Sequence, residues 1–290
     1  MKQNKLKKNP GPVYAWPMGL WFTIFFVVPL LIILVYSFLK KALYGGVDWQ
    51  FSLEAYRQMF NPNYAIVLFR TIKLSLISTL ITILLALPCG YAVARSSKQT
   101  LILILIMIPF WTNSLIRIFA WMSILSSDGL LSSLLRQWGI LKETTTLLYN
   151  QGAVVLVSVY MYLPYAILPI FTSIDRFDFS LLEAARDLGA TKAESMFKVL
   201  LPSIKTGIIT AIIFTFIPIF GAYTVPLLVG GKDSYMIGNI IVDQINKTRN
   251  WPLAAAFSLV ITVLSMLGVL WMLLSNKKDA NLRIAKEGKK

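Results

Sequence analysis

Apolar runs of twenty residues or more alternate with short polar stretches along the whole chain, and the alternation predicts six membrane-crossing helices. A crossing helix needs ~20 predominantly apolar residues, because a rise of ~1.5 Å per residue must cover a hydrocarbon core of ~30 Å. The six runs are about Trp16–Leu39, Ile66–Ala94, Leu101–Leu125, Ala153–Ile174, Ile204–Val229 and Leu253–Ser275. The expected fold class is an all-α integral membrane protein, a polytopic six-transmembrane-helix bundle. Three stretches organise it: 1–65, with an N-tail, the first span and an outer loop; 66–275, a five-span core; and 276–290, a charged tail expected to be disordered.

The connections differ in length. Arg95–Thr100 is short, so spans two and three form a tight antiparallel hairpin. The loop Lys40–Ala65 carries turn signals at Gly45-Gly46 and Asn61-Pro62, and Ser126–Gly152 and Gly230–Pro252 have room for short helices. Helix breakers interrupt several spans: Pro88 and Gly90, Pro109, Pro164 and Pro169, then Pro218, Gly221 and Pro226. A broken backbone at membrane depth is tolerated where neighbouring helices or a water-filled cavity satisfy it, so these breaks point either to ordinary kinks or to a translocation path.

One polar island, Ser180–Pro202, lies between spans four and five. Ser180 with Glu183, and Thr191 with Glu194, each fit a capping box. Gly189 falls where the first short helix should end in left-handed geometry, and Pro202 opposes continuation into the next span. Ala193, Met196, Phe197, Leu200 and Leu201 share one helical face. Two short helices hinged at Gly189 are expected.

Composition changes the picture by exclusion. Of 290 residues 57% are hydrophobic, and the mean hydropathy is +0.67. The net charge of +15 would suit nucleic acid, but the charges flank membrane spans. They read as topology determinants and contacts with anionic lipid, with no nucleic-acid role. Four lysines precede the first span, which is too long for a cleavable signal segment, and place the N-terminus in the cytoplasm. Alternating from there, 17 of the 28 Lys and Arg residues fall inside, and so do both termini. The chain has one cysteine, Cys89, and no histidine, which removes Ser-His and Cys-His catalysis and argues against metal or redox chemistry. No G-x-x-x-x-G-K-[ST] is present, and Gly230-Gly231-Lys232 lacks the preceding glycine. The chain is expected to be no enzyme and to bind no cofactor.

The run Glu183-Ala184-Ala185, Gly189, then Val199-Leu200-Leu201-Pro202 closely resembles the coupling loop of ABC-importer permeases, with Val199 for isoleucine as the one departure. The resemblance implies a type I importer permease fold in a bacterial inner membrane. It also implies that Glu183, Ala184, Ala185, Gly189, Leu201 and Pro202 engage an ATP-hydrolysing subunit that carries ATP and Mg. A single loop serves one of two ATPase copies, so a second permease chain and an extracytoplasmic substrate-binding protein are implied as partners. Pro109-Phe110-Trp111-Thr112-Asn113-Ser114-Leu115-Ile116-Arg117, Leu181 through Ala190, Ile237-Gly238-Asn239 and Trp251-Pro252 resemble the permeases of spermidine/putrescine importers.

A polyamine path needs partners for a desolvated cation, and aromatic faces serve at about 1–2 kcal/mol each. Candidates are Trp111, Tyr160, Tyr162, Tyr165, Phe220 and Tyr223, with Asn113 adding a carbonyl acceptor; packing or interfacial anchoring is the competing role of each aromatic. Trp111 lies ten residues into its span, near the midplane. Arg117 is an intramembrane charge, read as structural or gating, snorkelling outward or pairing with Asp128 or Asp243. A permease for another small solute and a stand-alone secondary transporter are the alternatives.

Overall fold

In the computed structural model, residues 11–142 and 145–287 are described; the four N-terminal lysines lie outside them. The chain runs α1 (Gly11–Phe22), a π-helical turn (Thr23–Val27), α2 (Val28–Ser37), β1 (Leu39–Lys41), β2 (Val47–Phe51), α3 (Glu54–Met59), α4 (Pro62–Ala94), α5 (Gln99–Met107) and a 3-10 turn (Ile108–Trp111). Then follow α6 (Ser114–Leu125), α7 (Leu130–Gln137), α8 (Gln151–Asp175), α9 (Ser180–Asp187), α10 (Lys192–Ser195), a π-helical turn (Met196–Leu200) and α11 (Leu201–Ser203). The remainder is α12 (Lys205–Phe220), α13 (Thr224–Val229), a 3-10 turn (Lys232–Ser234), α14 (Ile237–Asn246) and α15 (Trp251–Glu287). Among the described residues five helices are long and apolar enough to cross a membrane, six if the bent pair around Ile204 counts as one.

Residues 11–61 and 241–263 form one compact unit. Its first span emerges into an antiparallel hairpin with Lys40 opposite Asp48, closed by Gly45 and Gly46 at φ 95° and 84°. The Tyr56 hydroxyl donates to Ser37 Oγ at 2.8 Å, and Phe38 stacks on Phe51 and meets the Tyr56 ring at a tilt.

Residues 62–240 and 264–287 form the second unit, which carries the functional elements. The central helix α8 packs along α4 and α12. α4 turns a stripe of small hydroxyl residues inward, Thr71, Ser75, Ser78, Thr79 and Thr82, all buried. Small residues let helix backbones approach closely where no hydrophobic effect drives association. The approach is tightest at two glycines: a methyl on Gly90 would meet Ile170 Cγ2 at 2.9 Å, and one on Gly207 would meet Ser173 Cβ at 2.6 Å and the Pro169 carbonyl at 2.7 Å. Two apolar clusters lie along α8. One joins Leu74, Ile118, Val154, Val157, Val225 and Val229; the other joins Ile83, Ala86, Ile170, Ile174, Leu200 and Ile204.

Two interruptions fall beside the expected breakers, and one expectation needs correction. The third run is interrupted just after Pro109: Thr112 (ψ 152°) and Asn113 (ψ 137°) are extended and separate the turn over Pro109 from α6. The fifth run begins at a 70° bend around Ile204, where Pro202 opposes continuation, and is broken at Gly221–Tyr223. The tail does not leave helix after Ser275, because the glycine- and proline-free stretch to Glu287 continues α15.

Candidate functional site

The polar island folds into the hinged pair that its pattern predicts. Leu182 is the buried anchor of α9 and joins the cluster around Ile174, Leu200 and Ile204. The helix ends in a Schellman motif: the Gly189 amide donates to the Arg186 carbonyl at 2.8 Å and the Ala190 amide to the Ala185 carbonyl at 3.0 Å. Gly189 has φ 90°, with nothing within 4 Å of the position its Cβ would take. The elbow is therefore set by backbone geometry alone.

Two residues on, Thr191 opens α10 with a complete capping box. Its Oγ1 accepts from the Glu194 amide at 3.2 Å, and the Glu194 carboxylate accepts from the Thr191 amide at 3.0 Å. Glu194 also accepts from Lys198 Nζ at 2.9 Å. The Lys198 bond, then the Thr191 amide and hydroxyl, hold the Glu194 carboxyl down at about 2. The first expected box, Ser180 with Glu183, does not form. Asp178 takes its place, its Oδ1 accepting from the Ser180 amide at 3.0 Å; hydrogen bonding from the Ser180 hydroxyl, then from its amide, lowers the Asp178 pKa. Glu183 is left exposed.

The island is tied to the spans at both ends. The Arg95 guanidinium lies 4.7 Å from the centre of the Phe179 ring, and Gln99 Nε2 donates to Asp175 Oδ1 at 3.1 Å. Leu201 and Pro202, half-buried, build the bend into α12 rather than an outward face. The expected stripe of the second helix is kept: Ala193, Met196, Phe197, Leu200 and Leu201 line an apolar groove of about 680 Å³ with Leu84 and Tyr91, Leu200 at its buried floor. The sequence reading missed the outward stripe of α9. Leu181, Ala184, Ala185 and Leu188 recur at i, i+3, i+4 and i+7, and Leu188 is 89% exposed. That spacing was the available signal.

The path candidates scatter. Trp111 is 83% exposed and Tyr223 45%, with Tyr165 similar. Tyr160 is half-buried, its ring 5.8 Å from Phe110 and 5.3 Å from Trp121; half-buried Tyr162 neighbours Tyr165 at 6.0 Å. Phe220, 5% exposed, stacks on Phe216 and is a packing residue rather than a lining one. The Asn113 side-chain oxygen caps α6, accepting from the Leu115 amide at 2.8 Å, so the acceptor expected for substrate is engaged in building the break. Arg117 does not snorkel and does not pair with Asp128. Its guanidinium lies 4.5 Å from the centre of the Phe110 ring, with Nε and Nη1 buried and lacking hydrogen-bond partners. Arg117 thus spans the break, joining α6 to the turn before it. Among the described residues no three His, Cys, Asp or Glu side chains are grouped to hold a metal.

Comparison with known proteins gives this geometry a context. Residues 76–278 match the profile of the binding-protein-dependent transport system inner membrane components. The chain is 36% identical over 259 residues to the spermidine/putrescine transport system permease protein PotB of Haemophilus influenzae, covering 89% of this chain and 91% of that one. It is 35% identical over 264 residues to the protein of the same name from Escherichia coli, covering 89% and 96%. In fold it superposes on a chain of a bacterial ABC transporter involved in the import of the acidic polysaccharide alginate, with TM-score 0.73 at 15% identity, over 93% of this chain and 96% of that one. ATP hydrolysis in such a transporter resides in a separate subunit. The chain belongs to the binding-protein-dependent transport system inner membrane components, and is a multi-pass permease subunit of an ABC importer.

Proposed function

We propose that this permease forms half of the translocation path for polyamines, spermidine or putrescine, and that ATP-driven alternating access reaches it through residues 180–202. Its partners are a second, different permease chain, two copies of an ABC ATPase that hold ATP and Mg, and an extracytoplasmic binding protein. Both termini and the loop 180–202 face the cytoplasm. Residues 66–275 form the permease core, preceded by the first span with its outer loop (1–65) and followed by the tail 276–290.

The observation that carries the coupling role is the outward face of α9: exposed Glu183, Ala184 and Leu188 on a helix whose other side is anchored by Leu182. An ATPase groove meets that face, with Ala185 allowing close approach and Gly189 turning the chain away. Force on α9 passes through Leu182 into the cluster shared with α4, α8 and the bend at Leu201-Pro202. The substrate class is supported by the likeness to the two spermidine/putrescine permeases at 35–36% identity. The spans carry no interior Asp or Glu, so a cation crossing here meets aromatic faces and backbone carbonyls. Trp111, Tyr165 and Tyr223 are the proposed lining residues, with Tyr160 and Tyr162 behind them. Asn113 and Arg117 hold the break, where Arg117 also gates.

Uptake of labelled spermidine and putrescine by cells with and without the chain tests the substrate, and co-purification with an ATP-hydrolysing subunit tests the coupling. Unchanged uptake in cells lacking other polyamine routes would refute the substrate class and leave the permease assignment standing.

A further inference from the structure

The break between α12 and α13 is held by residues distant in sequence. Asn239 is 2% exposed. Its Nδ2 donates to the Tyr223 carbonyl at 2.8 Å, and its Oδ1 accepts from the Met236 amide at 3.1 Å. Both ends of the buried amide are thereby used. Two residues earlier the Ile237 amide donates to Thr71 Oγ1 of α4 at 2.9 Å, and that hydroxyl donates to the Val67 carbonyl at 2.8 Å. Gly238 lies flat on the unwound segment: a methyl there would sit 2.6 Å from the Ala222 carbonyl oxygen and 2.8 Å from that of Gly221.

Three consecutive residues, Ile237, Gly238 and Asn239, therefore clamp Gly221–Tyr223 against α4. The Tyr223 carbonyl already accepts from the Leu227 amide at 3.0 Å, so Asn239 is not needed to relieve an orphan acceptor. What the second bond adds is orientation of the peptide that carries the Tyr223 side chain. An unwound segment at membrane depth would otherwise be free to re-form helix or recruit water.

We infer that Asn239 is a positioning residue for transport: through the Tyr223 carbonyl it sets where the exposed Tyr223 ring stands in the path. The inference rests on Tyr223 being a path residue. Cys89 is the single cysteine of this chain, so in a Cys89→Ser background the permease itself is free of thiols and its labelling is read on the separated subunit.

In the assembled transporter, Tyr223→Cys is labelled with a small cationic methanethiosulfonate, with and without Asn239→Ala. The labelling rate changes about fivefold, the range of one hydrogen bond's net worth, while Phe214→Cys on α12 reacts at an unchanged rate. An unchanged rate at position 223, or an equal change at 214, overturns the inference. The second arm is spermidine uptake. Asn239→Ala raises the half-saturating concentration about fivefold at a maximal rate per assembled transporter within twofold, and Tyr223→Ala added to it gives no further loss. Asn239→Asp, which keeps the acceptor and removes the donor, behaves as Asn239→Ala. Additive losses, or losses that merely follow the amount of assembled transporter, assign Asn239 to folding alone. If the unaltered transporter carries no spermidine, the substrate reading fails and the labelling arm still decides the clamp.

Discussion

Replacing Gly189 isolates the elbow of the coupling loop from everything else in the protein. Its φ is 90° and no atom lies within 4 Å of where a Cβ would stand, so a side chain costs backbone strain and nothing through packing. For alanine that strain is ~1–2 kcal/mol; asparagine tolerates the left-handed region better and a β-branched residue worse. In the undocked loop the strain is relieved by a small shift of the elbow backbone, because no atom lies within 4 Å of the added methyl. A docked loop cannot relieve it, so the cost is collected on association. Since ~1.4 kcal/mol is a factor of ten, Gly189→Ala weakens binding of the ATPase subunit about five- to thirtyfold. Gly189→Asn weakens it by less and Gly189→Val by more, while the spans and the thermal midpoint of the permease stay as they were. The assay is equilibrium binding of purified ATPase to permease in detergent, with ATP hydrolysis stimulated by loaded binding protein as the functional reading. Equal affinities for the glycine, asparagine and valine forms would refute the elbow argument, as would a loss of permease stability matching the loss of affinity.

Other consequences follow from separate features. Gly207→Ala inserts a methyl 2.7 Å from the Pro169 carbonyl oxygen, so α8 and α12 must separate; the transporter loses ~1–3 kcal/mol, seen as a lowered Tm in detergent, whereas Gly268→Ala, with open space around it, leaves Tm unchanged. Leu188→Ser removes the most exposed apolar contact of α9 and lowers ATPase affinity about tenfold, the scale of burying one leucine side chain, without altering permease yield. Glu194 is held at about 2, below its ordinary 4.5, so its contribution to the cap is full above about 4.5 and fades as pH falls toward 2. Amide exchange at residues 192–196, corrected for intrinsic rates, is steady from pH 7 to 5 and quickens below 4.5; Glu194→Gln shows the quickened exchange already at pH 7. Exchange unchanged from pH 5 to 3 would contradict that assignment.

The membrane architecture and the hinge were legible because they rest on short-range rules. Continuous apolar runs announced the spans, Thr191 and Glu194 announced a cap, and Gly189 an elbow. What failed to be legible depended on competition or tertiary partners. Ser180 and Glu183 fit the capping pattern, yet Asp178 two residues before Ser180 takes the amide first. Hydropathy alone cannot tell a continuous span from one broken at Thr112–Asn113 or Gly221–Tyr223; Pro109 and Gly221 marked the neighbourhoods, but the distant residue that holds the second break, Asn239, carries no local signal. Arg117 was expected to seek acid or water and instead takes the Phe110 ring, seven residues earlier across the break. Phe220 was read for its aromatic face, but its burial is decided by the packing of α12.

Purified transporter in vesicles, with labelled spermidine and the binding protein outside and ATP with Mg inside, tests the central claim most directly. Uptake should require ATP, the ATPase subunit and an intact α9 face, and should fall about tenfold with Leu188→Ser. Uptake that persists without the ATPase, or is indifferent to the α9 face, would mean that residues 180–202 do not drive transport.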